Sequence, residues 1–366
     1  MLTSVESFRI YSIRTLKKSK FRCFSCETYR PNESYPRQQR LETPFDPNLP
    51  PLIHHITAGR YWRSMIEMIE HETNISSTFA HELMNFGSIY ARNFDSQSKQ
   101  ETLSRVFDDI EIQPHTYIRV HENPRRYLIG NWNWKERVYP CKDGKLFIVN
   151  KPSGLPVHSS VDNVIENVIH QISSSLKLDL CVTSRLDTCT QGLVLLTNSS
   201  DYSGDINKLF ISKQMKKMYK ALTFKPLPLG LISHLFRTRH PKLHRNAKPT
   251  LLRRSDDGLQ DRLEIDSSEW KPVELVVHQS VPRKVSELNS MAREMLDLSQ
   301  AQLPLVYENH VELLTGKTHQ IRLQFAAYNA PVIGDSRYDP VKGLVYQGED
   351  TPWRDGLDLF GREPYR

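Results

Sequence analysis

Nowhere in the 366-residue sequence does an uninterrupted apolar run approach the roughly 20 residues that a membrane-spanning helix needs. No membrane partner is expected. Cysteine is scarce too. Cys23, Cys26, Cys141, Cys181 and Cys189 are an odd number scattered over a long chain, which argues against a secreted disulfide framework and for a reducing compartment. Cys23 and Cys26 form a lone C-x-x-C, but no second Cys/His pair follows at metal-ligand spacing and no βαβ pattern surrounds it, so neither zinc nor a redox role is expected. A secretory h-region and an internal repeat are also lacking.

What is present is a basic, globular composition. Lys and Arg number 49 against 42 Asp and Glu, a net charge of +7, and 38% of residues are hydrophobic. That balance suits a polyanionic partner without identifying it. The length allows one large catalytic domain and a small accessory one.

Residues 1–52 divide into a basic tail and a Pro-rich linker. The tail carries Arg9, Arg14, Lys17, Lys18, Lys20 and Arg22 with several serines, a composition fitting either an organellar transit peptide or an ordinary disordered basic tail. On the first reading the protein is chloroplastic or mitochondrial; on the second, cytoplasmic or nuclear. Thr43 to Pro51 contains four prolines, which suit neither helix interiors nor central strands, so folded structure is expected from about Ile53.

Trp62, Met65, Ile66 and Ile69 then share one helical face. Phe79, Leu83 and Phe86 suggest a second helix, ended by Gly87 and followed by a strand at Ser88–Ala91 and another at Tyr117–His121. From Gly144 onward, strand-like runs at Leu146–Val149, Leu193–Leu196 and Val273–Val277 alternate with helical patterns, the mark of an α+β domain. A polar, arginine-rich stretch over 237–270 is too long for a routine connection. It reads either as a phosphate-contacting loop or as a solvated insertion.

Four segments carry the chemistry. Val149-Asn150-Lys151-Pro152-Ser153-Gly154 is a strand running into a sharp turn. Ser184-Arg185-Leu186-Asp187-Thr188-Cys189-Thr190-Gln191-Gly192-Leu193 places an ionisable Asp just before an apolar strand. There it costs desolvation unless paired, so alone it would read as a salt bridge or turn cap. Lys217-Met218-Tyr219-Lys220-Ala221-Leu222 and Thr315-Gly316-Lys317-Thr318-His319-Gln320-Ile321-Arg322 follow, the latter continued by Pro331-Val332-Ile333-Gly334-Asp335 and Tyr338.

In this order the segments resemble the motifs of RluA-type RNA pseudouridine synthases, from Leu146 to Tyr338 or about half of the chain. The resemblance implies a catalytic domain over 138–366 built on a mixed, mainly antiparallel central sheet flanked by helices and loops. The order helix, helix, glycine, strand over 53–125 is similar to the small helical RNA-binding module that often precedes such domains. Asp187 matches the family's catalytic Asp, Tyr219 the tyrosine that packs against the target base, and Arg322 the arginine that pairs with the Asp. A planar guanidinium would keep that carboxylate ionised and directed. Lys151, Arg185, Lys317, His319 and Gln320 are implied substrate- or RNA-binding residues. Ser184 stands where histidine is common, Gln191 where serine is, and Lys317 where arginine is, which makes a fork-type contact at 317 doubtful.

The implied activity is isomerisation of specific uridines in structured rRNA or tRNA by a monomer that needs no cofactor, since neither redox change nor net hydrolysis occurs. A catalytically inactive RNA-binding protein on the same scaffold is the alternative, opposed by the joint presence of Asp187, Tyr219 and Arg322. A glycosidase would need a second carboxylate beside Asp187, and none of the motifs presents one. A zinc base deaminase lacks its ligand set. The family's further helix and strand after Tyr338, ending in a G-L-H-A-like run, has no match before Arg366, and absence of that strand would leave a sheet edge unpaired.

Overall fold

The computed structural model describes residues 2–4, 51–95, 100–127, 132–141, 143–237, 251–254, 270–287, 305–335 and 338. The basic tail with Cys23 and Cys26, most of 237–270, and everything after Tyr338 lie outside the described residues. The chain separates into two compact units. One comprises Met1–Phe24, Lys135–Gly154 and Cys181–Arg366; the other comprises Ser25–Trp134 and Leu155–Leu180. The second therefore draws on a segment that sequence order places between two catalytic motifs.

The first unit contains two sheets. In the larger, strands run in the order Leu2–Ser4, Met218–Thr223, Leu305–Leu313, Trp270–Lys284, Gly230–Arg237, Leu251–Arg254, and every neighbouring pair is antiparallel. Arg237, Arg253, Arg254 and Trp270, from the arginine-rich stretch, thus fall within strands. Alternate residues Val273, Leu275 and Val277 are buried, as are Val311 and Leu313, which is the period-two pattern of a sheet with one covered face. The cover is the helix Gln320–Ala327, whose Ile321 and Phe325 join Ala221, Ile232, Leu275 and Val311 in one core cluster. Tyr328 packs against the same cluster, completing the i, i+4, i+7 face.

The smaller sheet orders Val138–Pro140, Leu146–Lys151, Gly192–Thr197 and Cys181–Val182, again antiparallel throughout. Both Leu146–Lys151 and Gly192–Thr197 are apolar and centrally placed, so the motif turn following Lys151 and the one preceding Gly192 emerge side by side where Lys151 pairs with Gly192. The architecture is the expected α+β, mainly antiparallel one.

In the second unit two short helices pack on a four-stranded antiparallel sheet, ordered Ile53–Thr57, Tyr117–His121, Ile89–Asp95, Gln100–Arg105. Ser64 caps the helix Met65–Thr73 by accepting from the Glu67 N–H at 3.1 Å, and Ser76 likewise caps Ser77–Asn85. The latter helix ends at Gly87, whose φ of 76° and the bonds from Gly87 N to Met84 O and Ser88 N to Leu83 O make a left-handed stop. A Cβ there would also lie 2.7 Å from Val164 Cγ1, so only glycine fits. The expected helices, glycine and strands are present. The sheet they join was not foreseen, because its pairings are non-local.

Candidate active site

Asp187 sits in the turn between the strands Cys181–Val182 and Gly192–Thr197. The preceding residues are fastened to the second strand, Ser184 Oγ accepting from the Leu195 N–H at 3.0 Å. The turn itself is closed by Thr190 N donating to Asp187 O at 3.0 Å. Against it lies the Lys151–Gly154 turn. Lys151 Nζ and Gly154 N both donate to Thr188 O, at 3.1 and 2.8 Å, and Ser153 Oγ donates to Cys189 O at 2.7 Å. Two loops distant in sequence are thereby locked together, and the Asp187 backbone is fixed from both sides.

Lys151, implied as a substrate contact, is fully buried; its ammonium also donates to Pro152 O at 2.8 Å. Burial pushes it down to about 7 against the pull of Cys189 and of the Asp187 carboxylate. It thus bridges a carbonyl of its own turn, Pro152 O, and one of the Asp187 turn, Thr188 O.

The other half of the site comes from the segment around the helix Gln320–Ala327. His319 precedes it with φ of 57°, a left-handed conformation rare for a residue with a Cβ, and supplies no side-chain cap. That turn of the backbone brings His319 Nε2 to 4.0 Å from Asp187 Oδ2, while its Nδ1 hydrogen-bonds with the Tyr338 hydroxyl at 2.8 Å. Three residues on, Arg322 Nη1 lies 3.7 Å from Asp187 Oδ2. Its tighter partner, however, is Asp335, which accepts from Nε at 2.7 Å and from Nη2 at 2.9 Å. Arg322 and Asp335 are 8% and 3% exposed, against 26% for Asp187. Burial opposes the charge on Arg322, but the hydrogen bonds and charge of Asp335 outweigh it and hold the guanidinium well above its ordinary value. The Tyr338 ring covers the guanidinium, its centroid 5.0 Å from Cζ.

Tyr219 enters from the strand Met218–Thr223, opposite Val311, and packs on the core cluster. Burial, aided by the nearby Asp187 carboxylate, pushes its phenol well above the usual range, so the hydroxyl stays protonated at neutral pH.

Of the remaining implied residues, Arg185 is exposed beside Asp187 and Lys317 is half-buried. Gln320 is 2% exposed and braces the loop: its Oε1 accepts from the Thr315 hydroxyl at 2.9 Å and from Lys317 N at 3.2 Å, and its Nε2 donates to Glu274 O at 3.2 Å. The structure thus gathers Lys151, Asp187, Tyr219, His319 and Arg322, with Gln320 as a brace. Asp335 and Tyr338 had no assigned role, although the motif Gly334-Asp335 with Tyr338 three residues on was visible. A second carboxylate is therefore present, but both its oxygens are committed to Arg322 and it is shielded from solvent, unlike a glycosidase acid.

Residues 145–327, half of the chain, match the RNA pseudouridylate synthase family. The protein named RNA pseudouridine synthase 6, chloroplastic, of Arabidopsis thaliana is 28% identical, over 87% of this chain and 72% of its own length. Its namesake in Oryza sativa subsp. japonica is 30% identical over 65% of this chain, which spans only 47% of that relative. Among solved structures, human RNA Pseudouridylate Synthase Domain Containing 4 aligns at 21% identity over 56% of this chain and 69% of its own, with a TM-score of 0.38. On the family match, the chain belongs to the RNA pseudouridylate synthases, isomerases that act on RNA.

Proposed function

We propose that this chain converts specific uridines of a folded rRNA or tRNA to pseudouridine in a chloroplast or mitochondrion, with Asp187 as nucleophile. The observation that carries the reading is a partly exposed carboxylate at the tip of a turn clamped on both sides, with a buried guanidinium 3.7 Å away and a half-buried tyrosine close enough to feel its charge. A base stacked in RNA cannot reach such a carboxylate, so the uridine must be flipped out. Asp187 then adds to C1′ of the ribose or C6 of the base. The N1–C1′ bond breaks, the uracil turns, a C5–C1′ bond forms, the bond to Asp187 breaks with its electron pair returning to the carboxylate, and the C5 proton leaves while N1 gains one. Atoms and electrons balance without an oxidant, a water or a cofactor.

Arg322 lends positive charge to one Asp187 oxygen without a fork-type bond, which leaves the carboxylate directed but able to attack. The Tyr219 ring offers a flat face to the base, and its protonated hydroxyl can donate to it. Exposed Arg185 is placed to meet the RNA from which the base has come. The chloroplastic names of the two plant relatives, together with the basic N-terminal tail, support the organellar assignment.

Tritium release tests this directly. Organellar RNA carrying uridine tritiated at C5 is incubated with the full chain and with Asp187→Ala. Release by the parent alone is expected. Bound RNA with no release from either protein would mean an RNA-binding protein without catalysis.

A further inference from the structure

The isomerisation ends with the loss of a proton from C5, and a base beside Asp187 is needed to take it. Three of the ionisable side chains gathered at the site are poorly suited. The Tyr219 phenol is pushed well above its usual range, by burial first and by the Asp187 carboxylate second, so it keeps its own proton at neutral pH. The buried Lys151 ammonium donates to Pro152 O and Thr188 O. Arg322 keeps its charge and closes its fork on Asp335, whose two oxygens are thereby occupied. The next candidate is His319.

Its ring is buried and held at one end. Nδ1 hydrogen-bonds with the Tyr338 hydroxyl at 2.8 Å, and the two rings meet edge to face with centroids 5.7 Å apart. At the other end Nε2 lies 4.0 Å from Asp187 Oδ2, the oxygen that Arg322 Nη1 approaches at 3.7 Å. That gap is too wide for a direct hydrogen bond and leaves room for a reacting atom between the two groups. An atom one or two bonds removed from Oδ2, as C5 is while the base is being rejoined, falls within hydrogen-bond reach of Nε2. With Nδ1–H donating to the Tyr338 oxygen, Nε2 presents its lone pair on the side of the reacting base. The left-handed backbone that aims the ring, with φ of 57°, is strained for a residue with a Cβ, and no side-chain cap accounts for it.

We infer that His319 is a catalytic residue whose Nε2 removes the C5 proton once C5 has joined C1′. The C5–H bond breaks, its proton goes to Nε2, and its electron pair closes the C5=C6 double bond. In the C1′ route that displaces an electron pair onto N1; in the C6 route the displaced pair leaves with the Asp187 carboxylate. The imidazolium then gives its proton to water or to N1, so no oxidant or further reactant is needed. Asp187 and Arg322 flank the ring on the Nε2 side and Tyr338 on the Nδ1 side, and the regenerated carboxylate steadies the imidazolium while it lasts. The inference rests on the synthase reading proposed above and adds the group that completes the reaction.

The test uses the full chain and His319→Asn, since asparagine tolerates the left-handed backbone and leaves nothing in the place of Nε2. Two substrates are compared in single turnovers: organellar RNA carrying uridine tritiated at C5, and the same RNA with 5-fluorouridine in place of uridine, read by chromatography after nuclease digestion. Fluorinated uridine can be cleaved and rejoined at C5 but has no C5 proton to lose. Tritium release by His319→Asn should fall about 100-fold or more, the range that a positioned base contributes. Its tritium release should also lag further behind total pseudouridine formation than the parent's, because proton removal has become slow. Rearrangement of 5-fluorouridine should keep the parent's rate. Tyr338→Phe, which retains the ring over Arg322 and loses only the bond that holds the imidazole, should slow tritium release less and likewise spare 5-fluorouridine. Equal slowing of both substrates would make His319 a positioning residue for Asp187 and overturn the inference, as would tritium release at the parental rate. A parent inactive on both substrates would sink the synthase reading, and the inference with it.

Discussion

Replacing Asp335 by Asn removes one charge from a nearly solvent-free pair while changing its volume little. Arg322 then keeps its guanidinium 8% exposed with both fork contacts weakened, and its nearest remaining anion is Asp187 at 3.7 Å. Leaving a buried charge without its partner costs about 3–5 kcal/mol, and partial help from Asp187 and the Asn oxygen puts this case near the lower end. For a unit of this size each kcal/mol lowers Tm by about 2–4 °C, so a fall of about 6–12 °C is expected in a circular-dichroism melt at neutral pH. Tritium release should fall as well. Freed of Asp335, Arg322 is expected to fork onto Asp187 and blunt its attack, lowering kcat while leaving KM close to the parent's. The paired replacement Arg322→Met with Asp335→Leu separates the two effects, because removing both charges avoids the stranded ion: it should melt near the parent yet release no tritium. Parental melting of Asp335→Asn, or a double variant less stable than the single one, would refute the reasoning.

Tyr219→Phe keeps the ring and loses a hydroxyl that is protonated at neutral pH, so single-turnover rates should fall less than in Tyr219→Ala; equal losses would mean that the ring is not what holds the base. The second unit should be sensitive to acid. His121 and His170 are both pushed down to about 4, mainly by burial. Between about 4 and the ordinary 6.5, the unfolded chain binds protons that the folded one refuses; stability is therefore full above 6.5 and declines as pH falls toward 4. A proton NMR titration of His121 should show a midpoint near 4, and a midpoint above 6 would contradict its placement.

Much of this was legible in the residues. Strand-like runs at Leu146–Val149 and Val273–Val277 became strands, and Ile321 and Phe325, with Tyr328 packed beside them, became the core-facing side of a helix, because side-chain spacing along a local element dictates which faces meet the core. Motif order singled out Asp187, Tyr219 and Arg322, and those three are brought to one place.

What the residues alone left open were meetings between distant segments. Arg322 was expected on Asp187, yet its fork closes on Asp335, since the chain turns back after the helix and delivers a carboxylate in better geometry than the turn can. Lys151 was implied as a substrate or RNA contact, but pairing of its strand with Gly192 buries it against the Asp187 turn. The row His55–Arg119–Tyr90–Arg105 across the second unit's sheet exists only once four strands from residues 53 to 121 are set in register. Sequence by itself determined the family, the local elements and which carboxylate is the candidate nucleophile, because those follow from short-range spacing and motif chemistry. Tertiary structure alone decided which charge faces which and which surface is left open, because those depend on non-local pairing that no local period encodes.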